Sequence, residues 1–158
     1  MMKEKFKMTD EDFQHYDGSI GMEKVELENH PIQLDNRHIE ALKEIVGEKY
    51  VRTDDYARVS VAYGKTAYDA MRLREKRMDS LPDVVVYPAK TKEVEEIVAY
   101  CTEEKIPLYV YGGGSSVTMG VEPTKGGISL DMRLRFNHVV SFNETDQTIT
   151  VQAGMSGP

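Results

Sequence analysis

The clearest pattern of apolar positions lies between residues 81 and 132. Two short runs there, residues 84–87 and 108–111, are rich in β-branched and aromatic side chains and have the length of buried strands. Residues 128–132 form a third run of the same kind. Because enough chain for a crossover separates the first two runs, we predict that the three strands are neighbours in a small parallel sheet.

The segment between the first two predicted strands carries the pattern of an amphipathic helix. Four apolar side chains recur at positions i, i+3, i+4 and i+7, on one helical face: Val94, Ile97, Val98 and Cys101. Thr91 is the expected N-cap, and Glu93 is favourable near the positive end of the helix. We therefore predict a helix over residues 91–104 that packs this face across the sheet.

Helical and loop patterns precede the sheet. A helix is predicted from about Asp35 to Gly47, which would end it in a left-handed conformation. Its apolar face consists of Ile39, Leu42, Ile45 and Val46. Residues 50–60 contain polar loop signals, and residues 65–77 have the composition of a second helix.

Two runs near the C-terminus predict a β-hairpin. Residues 139–142 and 148–152 flank a polar segment, and apolar and polar side chains alternate along the second run. The predicted fold class is therefore α/β or α+β, with a small parallel β-sheet flanked by helices that leads into antiparallel strands.

Composition and charge narrow the classes of function. The formal net charge is −7, so general nucleic-acid binding is not expected. No apolar run approaches the roughly 18 residues of a membrane helix, and the polar start lacks a secretory signal pattern. The single cysteine, Cys101, excludes an internal disulfide and suits a reducing cytoplasm. The histidines are too scattered to predict a metal site: His15, His30, His38 and His138.

The most informative segment directly follows the second predicted strand. Three adjacent glycines, Gly112, Gly113 and Gly114, are followed there by Ser115 and Ser116. Consecutive glycines cost chain entropy, which makes sense where the backbone turns sharply and approaches a ligand closely. Their N–H groups can converge on an anion such as a pyrophosphate, and ligands of open α/β sheets bind at this end of a strand. The alternative is a glycine-rich turn that binds nothing.

Other motifs carry less information. The loop has neither the Gly-Lys-Ser/Thr ending of a P-loop nor the later glycine of a Rossmann fingerprint. Cys101 is expected to be buried and inert. Asp131 is expected to hold a loop in place, with a ribose contact as the alternative, and Tyr111 is well placed to line a cofactor. The basic residues of the second helix are expected on a solvated face: Arg72, Arg74, Lys76 and Arg77.

The order of these motifs resembles one known family. The likeness is carried by residues 81–88, the glycine loop, residues 127–131 and residues 151–154, and it covers about residue 36 to the end. Together these motifs resemble the FAD-binding domain of the vanillyl-alcohol oxidase / p-cresol methylhydroxylase superfamily of FAD-linked oxidases. The most similar branch holds D-lactate dehydrogenases, glycolate oxidase subunits and alkylglycerone-phosphate synthases.

The resemblance implies two α/β subdomains that hold FAD between them, with the glycine loop of the first gripping the FAD pyrophosphate. The implied cofactor contacts are Val110, Tyr111, Gly112, Gly113, Gly114, Ser115, Ser116 and Val117. Family members that tether FAD through this loop carry a histidine after the paired glycines. Ser115 stands at that position, so FAD binding is expected to be non-covalent.

The resemblance also implies that the chain is an N-terminal fragment. The family continues after the position of Gly154 with a second FAD-binding loop and a substrate domain that holds the catalytic residues. We therefore assign no catalytic residue and expect FAD binding by this chain alone to be weak or absent. The implied organisation is an N-terminal arm over residues 1–34, a helical lead-in over 35–80 and a first α/β subdomain over 81–158.

Three functions fit these observations. The first is the FAD-binding part of an oxidoreductase that acts on a 2-hydroxy acid such as D-lactate or glycolate, with the flavin accepting a hydride. The second is part of an alkylglycerone-phosphate synthase-like flavoenzyme, in which no net redox change occurs. The third is a non-catalytic domain with an unoccupied loop. The substrate, the electron acceptor and the oligomeric state are left open.

Overall fold

The computed structural model describes residues 26–157 and contains a four-stranded sheet. Its strands are β1 (Val51–Arg52), β2 (Val84–Val86), β3 (Leu108–Tyr111) and β4 (Ile128–Asp131). Their spatial order is β1-β2-β4-β3, with β2 and β3 parallel to β4 and β1 antiparallel to β2. The predicted α/β class and the three parallel strands are confirmed.

Strand β4 lies between β2 and β3, so these two consecutive parallel strands do not pair with each other. All four residues of β4 are buried, whereas β3 is an edge strand in which Val110 is 53% exposed. The strand whose residues are buried on both faces thus occupies the position that is paired on both sides.

Four α-helices accompany the sheet among the described residues: α1 (Asn36–Val46), α2 (Asp55–Ser60), α3 (Ala67–Arg74) and α4 (Thr91–Glu104). The prediction of a loop over residues 50–60 is wrong, because this segment holds β1 and α2 as well as the end of a 3₁₀ turn, Glu48–Tyr50. Asp54 is one of the polar residues of this segment, and its carboxylate caps α2 by accepting a hydrogen bond from the N–H of Ala57 at 3.2 Å.

The face of α4 that packs on the sheet is narrower than predicted. Ile97 and Cys101 are buried and Val94 is partly buried, but Val98 is 44% exposed. The Tyr100 hydroxyl lies 2.7 Å from His38 Nδ1 on α1. This contact places α1 on the side of α4 opposite Val98. The buried face of α4 is therefore turned toward α1, and Val98 is left exposed.

The start of α4 also differs from the prediction. Thr91 is the first helical residue and Lys90 is the N-cap, with no side-chain hydrogen bond to the helix. The Glu93 carboxylate instead accepts a hydrogen bond from the N–H of Ala89 at 2.7 Å. A carboxylate in the first turn is favourable because it faces the positive end of the helix, as expected for Glu93.

The apolar face of α1 is buried as predicted, with Leu42 fully inaccessible at its centre. Asp35 caps the helix by accepting a hydrogen bond from the N–H of Arg37. Gly47 ends it at φ +92° and ψ 145°, which is a positive φ but not the predicted left-handed helical conformation. The chain passes there into the 3₁₀ turn, where the N–H of Tyr50 donates to the Gly47 carbonyl at 3.0 Å.

Burial by the sheet and helices explains the state of the single thiol. Cys101 is 4% exposed, and burial raises the pKa of its thiol to about 11. The thiolate is the reactive form, so the prediction of a buried, inert cysteine is confirmed.

The predicted C-terminal hairpin is present as β5 (Val139–Asn143) and β6 (Thr148–Val151). It forms a separate two-stranded sheet in which every residue is exposed. The chain then returns to the main body, where the N–H of Gly154 donates to the Phe136 carbonyl at 2.8 Å. No helix within residues 26–157 is both long and apolar enough to span a membrane.

Candidate functional site

The glycine loop leaves the carboxyl end of β3, at the edge of the sheet where the parallel strands β2, β3 and β4 all end. Its predicted cofactor residues therefore lie together at the edge where open α/β sheets bind ligands. Four of them are exposed: Val110, Gly113, Ser115 and Val117. The other four are buried or partly buried: Tyr111, Gly112, Gly114 and Ser116.

The backbone of the loop is open toward solvent at Gly113 and closed at Gly114. A Cβ added to Gly113 would meet no atom within 4 Å. Gly114 has φ +66°, and a Cβ there would collide with the Tyr111 hydroxyl, so this position requires glycine. Within residues 26–157, no group accepts a hydrogen bond from the N–H of Gly113, Gly114 or Ser115. Three successive N–H groups without acceptors, next to an open position, fit an anionic group such as a pyrophosphate.

The lead-in to the sheet holds the far end of the loop. The N–H of Lys65 donates to the Ser116 carbonyl at 3.1 Å, and Gly64 packs so closely on the same carbonyl that a Cβ would collide with it. The Ser116 hydroxyl also accepts a hydrogen bond from the N–H of Gly120 at 3.1 Å. Ser116 is thus fixed from two sides, while Gly113 stays open.

A buried arginine ties α3 to the segment after the loop. The Arg72 guanidinium lies 2.7 Å from the Glu122 carboxylate and 3.6 Å from the Asp69 carboxylate, and it stacks on the Tyr63 ring at 4.2 Å. The prediction that Arg72 lies on a solvated face is therefore wrong, since its side chain is 4% exposed. Its hydrogen bond to Glu122 holds the pKa of that carboxyl below its usual value.

A second arginine lies at the carboxyl edge of the sheet. Arg133 makes a bidentate ion pair with the buried Asp131, at 2.9 and 2.6 Å, and its guanidinium lies 4.6 Å from the centre of the Tyr111 ring. Asp131 therefore positions a loop residue, as expected. Asp131 also supports Tyr111, because it holds Arg133 against the Tyr111 ring. The Tyr111 hydroxyl in turn packs against Gly114.

The remaining candidates for a metal site are the histidines and the acidic side chains. No three His, Cys, Asp or Glu side chains within residues 26–157 are grouped so as to hold a metal ion. His38 contacts Tyr100, and both ring nitrogens of His30 face backbone carbonyls, of Glu28 and Met78. His15 lies outside the described residues.

A known protein-family model, described as "FAD binding domain", matches residues 82–158. This region, just under half of the chain, is thus similar to an FAD-binding domain. The match begins at the residue before Asp83 and includes β2 to β6 and the whole glycine loop. FAD is the ligand that the description of this family names.

Curated relatives of this chain include synthases, D-lactate dehydrogenases and a glycolate oxidase subunit. Alkyldihydroxyacetonephosphate synthase of Dictyostelium discoideum is 29% identical over 140 residues, which are 80% of this chain and 23% of the relative. A mitochondrial D-lactate dehydrogenase (cytochrome) of Saccharomyces cerevisiae is 29% identical over 127 residues, 79% of this chain and 21% of the relative. The chain thus spans about a quarter or less of the length of these relatives.

Solved structures agree with the fold. An alkyldihydroxyacetonephosphate synthase matches with a TM-score of 0.76 at 28% identity, covering 85% of this chain and 26% of that one. p-Cresol methylhydroxylase with substrate bound matches with a TM-score of 0.56 at 16% identity, covering 80% of this chain and 24% of that one. The resemblance to this superfamily of FAD-linked oxidases is confirmed.

The sequence patterns of the FAD-binding domain did not reveal the contacts that hold its loop. Lys65, Arg72 and Glu122 were missed because their partners are distant in sequence. One of these contacts has a marker in the sequence. Thr66 and Asp69 have the spacing of a capping box, and in the structure they form one that fixes the start of α3. It places Arg72 three residues after Asp69, on the same helical face.

Proposed function

We propose that the glycine loop binds the pyrophosphate of FAD and that the chain is the FAD-binding part of an FAD-linked oxidoreductase acting on a 2-hydroxy acid. The observation that carries the proposal is the open position at Gly113, in a loop where the N–H groups of three successive residues have no acceptor among the described residues. The family match over residues 82–158 supports FAD as the ligand that fills this space.

The chain's own contribution is binding and orientation. The N–H groups of Gly113, Gly114 and Ser115 donate to phosphate oxygens, and no lysine is required within the loop because convergent N–H dipoles stabilise the negative charge. Tyr111 supports the loop because its hydroxyl packs against Gly114. Ser115 offers no imidazole for a covalent tether. When bound, FAD supplies hydride-accepting chemistry, which catalytic groups outside these residues direct.

Relatives support two substrate classes. A D-lactate dehydrogenase among the curated relatives supports the 2-hydroxy acid, whereas the alkyldihydroxyacetonephosphate synthase structure, at TM-score 0.76, supports a synthase-like enzyme as the second candidate. We expect the flavin of the full-length gene product to be reduced when D-lactate or glycolate is added without oxygen. Flavin that stays oxidised with both acids contradicts the first candidate. Turnover of an acylated dihydroxyacetone phosphate with a long-chain alcohol supports the second.

The 158-residue chain alone is expected to be colourless after purification. One of two gripping subdomains supplies only part of the contacts with FAD, and each 1.4 kcal/mol or so of lost binding free energy weakens affinity tenfold. The measurement is the flavin absorbance per protein, with the full-length gene product as the control. A yellow preparation with stoichiometric flavin would show that residues 1–158 already carry most of the binding energy.

A cytoplasmic location remains our expectation, although a named relative is mitochondrial.

A further inference from the structure

A polar hollow of about 350 Å³ lies at the amino edge of the sheet, opposite the edge that carries the glycine loop. Its wall includes Asp83, the residue before β2, and Gly126, two residues before β4. These two strands are parallel, so their amino ends lie at the same edge. Residues from segments 29–33 and 79–81 and the side chain of Arg58 on α2 complete much of the wall. The hollow is therefore separate from the site that we assign to FAD.

A buried arginine with a free donor points to a ligand in this hollow. The side chain of Arg58 is 4% exposed, and its Nε and Nη1 donate to the carbonyls of Pro82 and His30 at 2.8 and 3.0 Å. The nearest carboxylate, of Asp55, lies 3.6 Å from Nη1. Nη2 has no acceptor among residues 26–157. Buried polar groups normally have a partner, and because Arg58 lines the hollow, a ligand there can supply one.

Charges of both signs line the same hollow. Lys125 is exposed, and its ammonium forms no ion pair with the described residues. Asp79 turns one carboxylate oxygen, Oδ2, toward Arg72 and Arg77 at 3.5 and 4.0 Å, whereas its Oδ1 has no partner within residues 26–157. No ion pair within 4.0 Å joins Asp79 to Arg58 or Lys125. The hollow thus keeps unlike charges apart, with space between them.

The other carboxylate of the wall is already stabilised by the backbone. Asp83 is 7% exposed, and its two oxygens accept hydrogen bonds from the N–H groups of Gln33 and Gly127, both at 2.7 Å. Its negative charge nevertheless opposes a second anion nearby. A ligand that is purely anionic would be attracted by Arg58 and Lys125 but repelled by the acidic side chains. A ligand that carries both charges can place each one beside its opposite.

We propose that this hollow binds an α-amino acid. The α-carboxylate accepts from Nη2 of Arg58 and faces the ammonium of Lys125, while the α-ammonium donates to Oδ1 of Asp79. An α-amino acid is neutral overall at pH 7, so its entry adds no net charge to a wall of mixed charge. The assignment goes beyond the proposed function and does not depend on FAD, because the hollow and the glycine loop lie at opposite edges of the sheet.

The test is chemical-shift mapping on the isotope-labelled 158-residue chain with three probes of similar size: L-alanine, propionate and ethylamine. Propionate lacks the ammonium of L-alanine, and ethylamine lacks its carboxylate. Each is added up to about 20 mM at constant ionic strength, where a ligand with a millimolar dissociation constant occupies most of the sites. L-alanine is expected to shift the amides of Ser80, Lys125 and Gly126. Each half-molecule should bind about tenfold more weakly, because it loses one charged hydrogen bond.

Two variants assign the charges without disturbing Arg58, which also holds two backbone carbonyls. Asp79→Asn should weaken L-alanine about tenfold and abolish its advantage over propionate, since the carboxylate that recognises the ammonium is gone. Lys125→Met should weaken L-alanine and propionate alike, about threefold, as expected for an exposed ion pair. Glu103→Gln and Lys90→Met are the matched controls, because both side chains are exposed and lie outside the hollow, and they should change nothing.

Three results would overturn the inference. If L-alanine at about 20 mM shifts none of the three amides, the hollow binds no α-amino acid. If propionate binds the wild type as tightly as L-alanine, the hollow recognises a carboxylate alone and Asp79 has no part in it. An advantage of L-alanine over propionate that persists in Asp79→Asn places the ammonium elsewhere. FAD binding by the glycine loop stands or falls separately, since none of these probes reports on it.

Discussion

Replacing Gly113 by Val is expected to abolish flavin retention by the whole protein and to leave the sheet folded. The added side chain would occupy the space that we assign to the FAD pyrophosphate. Because a Cβ at Gly113 meets no protein atom within 4 Å, the substitution should not disturb the loop itself. Loss of FAD would then report directly on the ligand's position.

The neighbouring glycine gives a contrasting result. Gly114 has φ +66° and packs on the Tyr111 hydroxyl, so Gly114→Ala forces a strained backbone and a collision. That variant is expected to lose stability by roughly 1–3 kcal/mol as well as flavin. Gly113→Val is therefore the more specific probe of the two. Ser115→Ala keeps the backbone N–H and removes only a hydroxyl that can donate to the same phosphate, so it should cost about 0.5–1.5 kcal/mol of binding, one neutral hydrogen bond.

Flavin content per protein and circular dichroism measure both effects. Gly157→Val is the matched control, because a Cβ there also meets no atom within 4 Å and the residue lies outside the loop. Retention of stoichiometric FAD by Gly113→Val would mean that the loop is only a turn. A loss of the circular dichroism spectrum by the same variant would contradict the open geometry of Gly113.

Local patterns predicted the elements of the sheet because each one is marked within its own residues. The β-branched run of β2 and the spacing of Ile97 and Cys101 on α4 are such marks, and they correspond to buried positions in the fold. The run of β3 also marked a strand, but only Tyr111 in it is buried, because β3 lies at the edge of the sheet. The position of the glycine loop followed in turn, since it directly succeeds β3. Its role toward FAD stays a prediction until the loop variants are measured.

Structural features that depend on partners distant in sequence could not be predicted from local sequence patterns. The short run Val51–Arg52 is a strand only because β2 offers it an edge, and Val98 is exposed only because α1 lies on the other side of α4. Arg72 looked like part of a charged face because Glu122 lies 50 residues away in sequence. The division between the lead-in and the subdomain at residue 81 likewise stays a prediction, although β1 and Arg72 connect the two parts.

Replacing Arg72 by Met is expected to cost roughly 3–5 kcal/mol of unfolding free energy at neutral pH, because it leaves the buried Glu122 carboxylate without its cation. The 8% exposure of the Glu122 side chain means that water cannot replace the lost partner. Glu122→Gln should cost less, since a neutral amide oxygen can still accept from Arg72 and no carboxylate is left unpaired.

The pH dependence distinguishes this charge effect from lost packing. In the wild type the pKa of Glu122 lies below its ordinary value of 4.5, so the stability it contributes is complete above that value and is lost as pH falls through the lowered pKa. In Arg72→Met, burial without a cation raises the pKa of Glu122 instead, and protonation relieves the penalty. The stability difference between wild type and variant is therefore largest at neutral pH and narrows as pH falls below about 5.

Urea unfolding of the 158-residue chain at a series of pH values measures this difference. Arg74→Met is the matched control, because Arg74 is exposed on the same helix and forms no ion pair among the described residues. It should change the unfolding free energy by less than about 0.5 kcal/mol at every pH. A penalty for Arg72→Met that stays constant from neutral to acid pH would mean that Arg72 acts by stacking on Tyr63. A penalty no larger than that of Arg74→Met would show that the ion pair with Glu122 contributes nothing to the fold.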